Sequence, residues 1–244
     1  MSYLFTTLFY NPLYNGLILV LSWLPSPDVG TAVILFTFLV KFVLFPLSKK
    51  AVTTQLRLRE VEPQLNLLKE KYKDNREKQA IEMMALYKTN GINPFSGILL
   101  ALIQFPIVIA LYYVFFKGGL PVVDINLLYP YVKGVFMSVS EPINVNFLNF
   151  LDVSKPQAIL AILAGIGQFI QIQLSIPKLA KVENPGFKDD LAQNMNTSIR
   201  YVLPVFILII SLKLSGAVAL YFVAGSIFTI GQELYLKKTL KKGL

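Results

Sequence analysis

The chain has 244 residues, of which 55% are hydrophobic and 15% are charged, with a net charge of +9. A water-soluble domain of this length could not cover so much apolar surface with so few charges, so the composition predicts that lipid covers part of it. The sequence contains no cysteine and no histidine. Disulfides, iron–sulfur clusters and thiol nucleophiles are thereby excluded, and the commonest metal ligand is missing. We therefore expect no cofactor and no metal site.

The first segment, residues 1–28, contains one apolar run, Leu13–Leu24, which ends at Pro25 and Pro27. A run of about a dozen residues is too short to span a bilayer and fits an amphipathic helix that lies in the membrane interface. Met1–Trp23 carries no Lys or Arg, so it lacks the basic region of a cleaved signal peptide. The sequence predicts an interfacial helix on a chain that begins as a mature membrane protein or core.

Five later stretches are long and apolar enough to cross a bilayer core, which takes about 20 helical residues. The fourth and fifth stretches are joined by a tight turn at Ser215. The connecting segments are predicted at residues 49–94, 118–155 and 177–197, and a basic tail follows at 237–244. The five predicted spans are residues 29–48, 95–117, 156–176, 198–214 and 216–236.

The basic residues predict the orientation of these spans. Ten Lys and Arg lie in residues 49–92, four in 177–200 and four in the tail. At the other ends of the spans and in the segment 118–155 there are four, Lys117, Lys133, Lys155 and Lys213. By the positive-inside rule, the two basic loops and the C-terminus are cytoplasmic. The predicted fold class is an all-α polytopic membrane protein with five transmembrane helices, its N-terminus outside and its C-terminus inside.

The 49–94 loop is polar but periodic, which predicts a helical hairpin that projects into the cytoplasm. Asp74 and Glu77 are expected to form a capping box at the start of the second helix. Pro63 is expected to start or kink the first helix. A merely solvated, charged loop is the alternative. The residues that define the two helical runs are Leu65, Leu68 and Tyr72 in the first and Ile81, Met84 and Tyr87 in the second.

Lys41 lies within the first predicted span, with apolar neighbours on both sides. A lysine at the centre of a span costs about 2.5–3.5 kcal/mol, so it normally faces protein or a water-filled cavity. The alternative is snorkelling, because Lys41 is only ~10 Å from Ser48 along a helix and its stem could reach the cytoplasmic headgroups. The sequence leaves both alternatives open.

Polar residues of the predicted spans fall mainly in their cytoplasmic halves, whereas the outer halves are apolar or aromatic. Buried amides and hydroxyls need partners or water, so a hydrated recess, open to the cytoplasm and closed to the outside, would accommodate them. No Asp or Glu lies at mid-depth in any predicted span. Such a recess would attract an acidic or polar segment of another polypeptide. The residues assigned to it are Lys41, Thr37, Gln104, Ser96, Gln168, Gln171, Ser226 and Thr229.

Several motifs, in this order along the chain, resemble the YidC-type membrane protein insertases. The resemblance covers about residues 11–236 and implies five spans around a cytoplasm-facing hydrophilic groove. It implies that Lys41 takes the position of the groove's basic residue, which is usually arginine, and that Gln104 lines the groove. Spans three and five would form the exit surface for a nascent helix. The motifs are Leu44–Lys50, Tyr87-Lys88 with Asn93-Pro94, Leu102-Ile103-Gln104-Phe105-Pro106, Leu151–Pro156, and Gly216 with Leu220 and Tyr221.

The resemblance also implies a location and partners. The chain is expected to be a multi-pass protein of the bacterial inner membrane that inserts nascent transmembrane segments and helps them fold, without covalent chemistry. Its expected partners are nascent membrane proteins, the lipid bilayer, the ribosome through the basic loops and tail, and a Sec translocon, with no specific nucleic-acid sequence. The chain lacks the lipidated cysteine and the large outer domain of many bacterial members, so it is similar to a minimal core form.

Three other classes of function are alternatives to an insertase. A small anion transporter or channel would use Lys41 as its binding site and would show inverted repeats or paired discontinuous helices, which the sequence lacks. A scaffold would bind partners through the charged hairpin without moving a polypeptide. An enzyme is disfavoured because there is no His, no Cys, no intramembrane carboxylate pair and no HExxH motif.

Overall fold

The computed structural model describes residues 3–93, 96–116, 122–139, 141–175 and 187–240, with the side chains of 96–104, 116, 187–193, 195 and 240 outside the description. These ranges are mostly helical. One π-helical turn, Thr6–Tyr10, and one 3₁₀ turn, Ile125–Leu127, accompany the regular elements. The regular elements are α1 Tyr3–Phe5, α2 Asn11–Trp23, α3 Val29–Val43, α4 Phe45–Lys71, α5 Arg76–Thr89, α6 Ser96–Phe116, α7 Pro130–Met137, β1 Asn146–Phe147, β2 Leu151–Asp152, α8 Ala158–Ser175, α9 Phe187–Lys213 and α10 Gly216–Leu240.

Within the described ranges, four helical stretches are long and apolar enough to cross a membrane, and α3 with α4 provides a fifth candidate as a bent pair. Helix α6 also has 21 residues, and its part with described side chains, Phe105–Phe115, is apolar. The predicted class, an all-α protein with several membrane spans, is confirmed. The four stretches are Tyr3–Trp23, Ala158–Ser175, Asn196–Lys213 and Gly216–Thr239.

The N-terminal helix is longer than the predicted run Leu13–Leu24, because the chain is helical from Tyr3 to Trp23. The prediction counted only the apolar residues after Pro12. Proline removes a backbone donor and crowds the preceding turn. Here Pro12 stands in the first turn of α2, where the missing N–H costs nothing, and the wider turn Thr6–Tyr10 precedes it.

Span one ends earlier than predicted. Helix α3 stops at Val43, and α4 starts at Phe45 after a bend of 62°. Pro46 in the first turn of α4 explains the break, because a proline ring cannot follow a continuing helix without a clash. Helix α4 then runs on through Pro63. The expectation that Pro63 would start the first hairpin helix is therefore wrong.

Helices α4 and α5 pack against each other through a small apolar cluster that includes Val61, Leu65 and Tyr87. The predicted capping box of Asp74 and Glu77 is wrong, because Asn75 caps α5 by accepting a hydrogen bond from the Lys78 N–H at 3.0 Å. Helix α5 begins at Arg76, so the residue directly before it is the one whose side chain reaches the free amides. Two residues of the predicted second run are exposed rather than packed, Ile81 at 62% and Met84 at 55%.

Helices α9 and α10 extend beyond the predicted spans. Helix α9 starts at Phe187 and not at residue 198, and α10 continues to Leu240 and not to residue 236. The apolar run in the sequence predicts only the part of a helix that can contact lipid. The helix itself can continue beyond that run into water, because its backbone hydrogen bonds do not require apolar side chains. The rest of the predicted 177–197 loop, residues 177–186, lies outside the described residues.

The segment 141–157 joins three helix ends. The Val29 N–H donates to Asn144 O at 2.9 Å, the Gly216 N–H donates to Lys155 O at 2.8 Å, and α8 begins at Ala158. The N-termini of α3, α8 and α10 therefore lie together, at what is called here the loop end, and the opposite end is the hairpin end. The three helices run in the same direction, which the predicted topology requires.

The main apolar core lies toward the loop end. It combines the buried face of α2 with the first half of α3, the last half of α6 and the first turns of α10. Nonpolar packing thus fills the bundle where the predicted topology places the outer leaflet. Core residues are Tyr14 and Leu17 of α2, Val33 and Phe36 of α3, Leu111 and Val114 of α6, and Leu220 and Tyr221 of α10.

Candidate functional site

Lys41 lies in the last turn of α3, half-buried, with its stem across Gly225 of α10. A Cβ added to Gly225 would lie 3.5 Å from Lys41 Cε and 3.9 Å from its Nζ. The same Cβ would lie 3.8 Å from the methyl carbon of Thr37, one turn earlier on α3. Because position 225 carries no side chain, the lysine can lie flat against the α10 backbone.

Thr37 forms the wall beside this lysine. Its side chain is 1% exposed, and its hydroxyl donates to Val33 O at 2.6 Å. The hydroxyl is thus satisfied within α3, and the methyl group faces Gly225. The assignment of Thr37 to a groove stays a prediction; in the structure its hydroxyl is used within α3 and its methyl group lies beside the lysine stem.

Aromatic rings of α3 and α10 meet beside Lys41. The Phe228 ring lies 5.6 Å from the Phe38 ring and 4.9 Å from the Phe42 ring, measured between centroids. Phe42 remains 64% exposed, so this group forms part of the apolar surface of the bundle. Phe38 and Phe42 stand three residues before and one residue after Lys41 on α3, and Phe228 stands three residues after Gly225 on α10.

The polar residues predicted on α10 are divided between two contacts. Thr229 donates its hydroxyl to Gly225 O at 2.8 Å, within the helix turn that underlies Lys41. Ser226 is 1% exposed and lies against α8, where a Cβ added to Gly167 would be 3.0 Å from Ser226 Cβ. Helices α8 and α10, the predicted exit surface, are thus in close contact at this level.

The remaining predicted residues of the recess lie on α6 and α8. Gln168 and Gln171 on α8 are half-buried. The side chains of Ser96 and Gln104 on α6 are outside the described residues. The structure therefore brings Lys41 and Thr37 together and leaves the place of the two α6 side chains a prediction.

A polar cluster at the hairpin end was not assigned to the site from the sequence. The Glu233 side chain is 2% exposed and forms an ion pair with Lys237 at 2.9 Å. Its second carboxylate oxygen accepts a hydrogen bond from the Ser175 hydroxyl, and the Lys237 ammonium donates to Leu174 O at 2.6 Å. The spacing of Glu233 and Lys237, four residues apart on one helix, is the sequence signal for this pair.

A second link at the same end joins α8 to α9. Arg200 is 4% exposed and donates to Gln173 Oε1 at 2.7 Å and to Asn196 Oδ1 at 2.9 Å. Polar and charged groups thus hold α8, α9 and α10 together at the hairpin end, whereas apolar packing does so at the loop end. The bundle changes from apolar to polar along its axis, and Lys41 lies near the change, where Val40 and Leu44 still pack against the apolar core.

Comparisons with known proteins agree with this architecture. The sequence model of one family, described as 60Kd inner membrane protein, matches residues 21–243. The membrane protein insertase YidC of Clostridium tetani is 32% identical over 218 residues, which cover 89% of this chain and 86% of that protein. The membrane protein insertases YidC of Wolinella succinogenes and Marinobacter nauticus are 31% and 33% identical. The chain spans only 39% and 32% of the lengths of these two longer relatives.

The match extends over most of the chain, and the aligned relative from Clostridium tetani is covered over most of its own length. Together with several helices that are long and apolar enough to cross a bilayer, this similarity confirms a multi-pass protein of the bacterial inner membrane. The chain therefore belongs to the 60Kd inner membrane protein family, that of the YidC-type insertases.

Proposed function

We propose that this chain inserts nascent transmembrane segments into the bilayer and helps them fold, through a hydrophilic groove that opens at the hairpin end and contains Lys41. The observation that carries the proposal is the position of Lys41, which lies flat on Gly225 where the apolar core gives way to polar contacts. No covalent chemistry is needed for this activity. The chain lowers a solvation barrier.

The size of that barrier explains why one cation matters. A charged side chain at the centre of a bilayer costs about 2.5–3.5 kcal/mol on insertion scales. Lys41 lies ~18 Å along α3 from Val29, within a hydrocarbon core about 30 Å thick. A polar or acidic segment that reaches Lys41 from the hairpin end would cross less than half of that core before it meets a fixed positive charge.

The hairpin end is assigned to the cytoplasm. The α4–α5 hairpin and the end of α10 carry most of the basic residues of the chain, and such residues accumulate on the cytoplasmic side. Nascent membrane proteins would therefore meet the hairpin first. Contacts of these basic surfaces with the ribosome, and cooperation with a Sec translocon, belong to the same proposal.

The N-terminal helix is assigned to the outer membrane surface, although it is long enough to span. Asn15, at the middle of this helix, donates to Leu127 O at 2.9 Å and accepts from the Tyr129 N–H at 2.6 Å. The neighbouring Tyr14 hydroxyl accepts from the Asp124 N–H at 2.8 Å. Tyr14 and Asn15 thus hold the exposed, polar segment 124–129 against the helix. If the helix crossed the bilayer, this segment would lie at the membrane centre, which is costly. If the helix lies on the membrane surface, the segment 124–129 stays in water.

Reconstitution of the purified chain into liposomes tests the proposal. A short single-span substrate is added, and both the protease-protected span and the leakage of an anion are measured. An insertase produces the protected span without anion flux. Anion flux without a protected span would favour the small transporter or channel, and binding without either result would favour a scaffold.

A further inference from the structure

The loop end carries a small β-hairpin that the sequence did not predict. Strands β1 and β2 pair antiparallel, with Asn146 opposite Asp152 and Phe147 opposite Leu151. Residues 148–150 form the turn, here called the hairpin tip. The sequence predicts only a connecting segment at residues 118–155, since it contains no alternation of apolar and polar residues long enough to indicate a strand there.

The hairpin tip combines an unfavourable backbone with exposed apolar side chains. Leu148 has φ of 53° and Asn149 has φ of 65°. Asparagine tolerates this left-handed region, but a bulky leucine is rarely found there. Leu148 is nevertheless 64% exposed and the adjacent Phe150 is 74% exposed. Exposure to water does not stabilise these two apolar side chains, whereas an apolar environment outside the protein would.

The base of the β-hairpin packs against the first turn of α3. A Cβ added to Gly30, in the first turn of α3, would lie 2.5 Å from Phe147, so this ring lies directly on the helix backbone. The Val153 N–H donates to Val145 O at 2.9 Å. On the side away from the tip, Lys155 and Asp152 form an ion pair at 3.0 Å. Asp152, the last residue of β2, is the first charged residue after the tip, and no residue from 142 to 151 is charged.

We infer that the hairpin tip inserts Leu148 and Phe150 into the outer leaflet, where it anchors the loop end of α3 to the lipid interface. Lipid is the occupant because the tip lies beside the start of α3, a predicted span with exposed apolar side chains such as Leu35 and Leu39, and because Phe and Leu are typical of the apolar face of interfacial segments. Two side chains are also far too small a surface for a stable protein interface, which buries about 800 Å² per partner. The inference is independent of the insertase activity.

Tryptophan fluorescence in brominated lipid tests this inference, because Trp23 is the only native tryptophan. In a Trp23→Phe background, Phe150→Trp places the only fluorophore at the tip. The full chain is reconstituted in phosphatidylcholine vesicles with bromine on the acyl chains near the headgroups. We expect about a twofold loss of fluorescence relative to unlabelled lipid and little quenching by iodide. Glu77→Trp in the same background, at an exposed position of α5, provides the water-exposed reference.

A second variant separates lipid contact from folding. Leu148→Asn retains a residue that suits the positive φ while it removes the apolar side chain, so the turn should persist and bromine quenching of the tip should decrease. Two results would overturn the inference. One is quenching by iodide equal to that of the Glu77→Trp reference. The other is protection from both bromine and iodide, which would show that protein, such as a second copy of the chain, covers the tip.

Discussion

A lysine at position 41 carries its charge differently from an arginine. Its ammonium is a compact charge on a flexible stem, whereas a guanidinium is a wide planar fork with a permanent charge. In this chain the stem lies across Gly225, and the added Cβ distances of 3.5–3.9 Å leave space for the lysine but little for a branched neighbour. The position of the charge therefore depends on two residues, one from α3 and one from α10.

Charge replacement at Lys41 should change insertion according to the substrate. We expect Lys41→Glu to reduce insertion of a substrate with an acidic outer tail by about tenfold, which is about 1.4 kcal/mol of electrostatic energy. Lys41→Ala should have a smaller effect, and Lys41→Arg should retain activity. The measurement is the protease-protected fraction in liposomes, with a neutral-tailed substrate as the control. Equal insertion by all four proteins would remove the charge from the mechanism.

Gly225 should limit the position of Lys41. Gly225→Ala adds only a carbon at ordinary contact distance and should be tolerated, whereas Gly225→Leu should push the lysine stem off α10. We expect Gly225→Leu to lower insertion of the acidic-tailed substrate several-fold and to leave the neutral one nearly unchanged. Gly231→Leu is the matched control, since nothing lies within 4 Å of its added Cβ. Equal losses for both leucine variants would show a general effect on α10.

Among the elements, the hairpin ends of α8 and α10 are joined by hydrogen bonds that involve Glu233 and Lys237. These two residues form an ion pair within α10, and neither partner can be removed singly without cost. Lys237→Ala would leave the Glu233 carboxylate in a site where it is 2% exposed. Loss of one partner of such a pair typically costs about 3 kcal/mol, while an apolar replacement of both is often neutral. We therefore expect a lower thermal midpoint in detergent for Lys237→Ala, and recovery in the double variant Glu233→Leu, Lys237→Met.

The same helices show which elements a sequence can predict. Helices α6 and α8, as far as the structure describes them, lie within the predicted ranges 95–117 and 156–176, because a long apolar run with few breaks also favours a helix. The break before Phe45 and the extension of α9 to Phe187 were not predicted, since neither changes the apolar pattern. The β-hairpin was missed because its strands have two residues each, too few to show a period of two.

Over the whole molecule, the sequence shows at which depth of the bundle polar residues lie, but not which neighbouring residues they contact. Lys41 and Thr37 could be assigned from their place in an apolar run, because a polar residue there requires a reason. Gly225, which determines where the lysine lies, carries no polar signal and could not be found without coordinates. Ser226 was assigned to the same surface by its depth, but its contact is with Gly167 of α8, since depth along a helix does not tell which face a residue occupies.

The uneven distribution of apolar packing along the bundle predicts one-sided access of water. The native chain has no cysteine, so single cysteines can be introduced without other changes. Gln171→Cys, at a half-buried position near the hairpin end of α8, should react with a membrane-impermeant maleimide added from the cytoplasmic side and not from the outside. Ser138→Cys, exposed after α7 at the loop end, should show the reverse, and Glu77→Cys should react from the cytoplasm at the rate of a free thiol. Reaction of Gln171→Cys from the outside would mean that water passes the apolar core, and the groove would then be a channel rather than a closed recess.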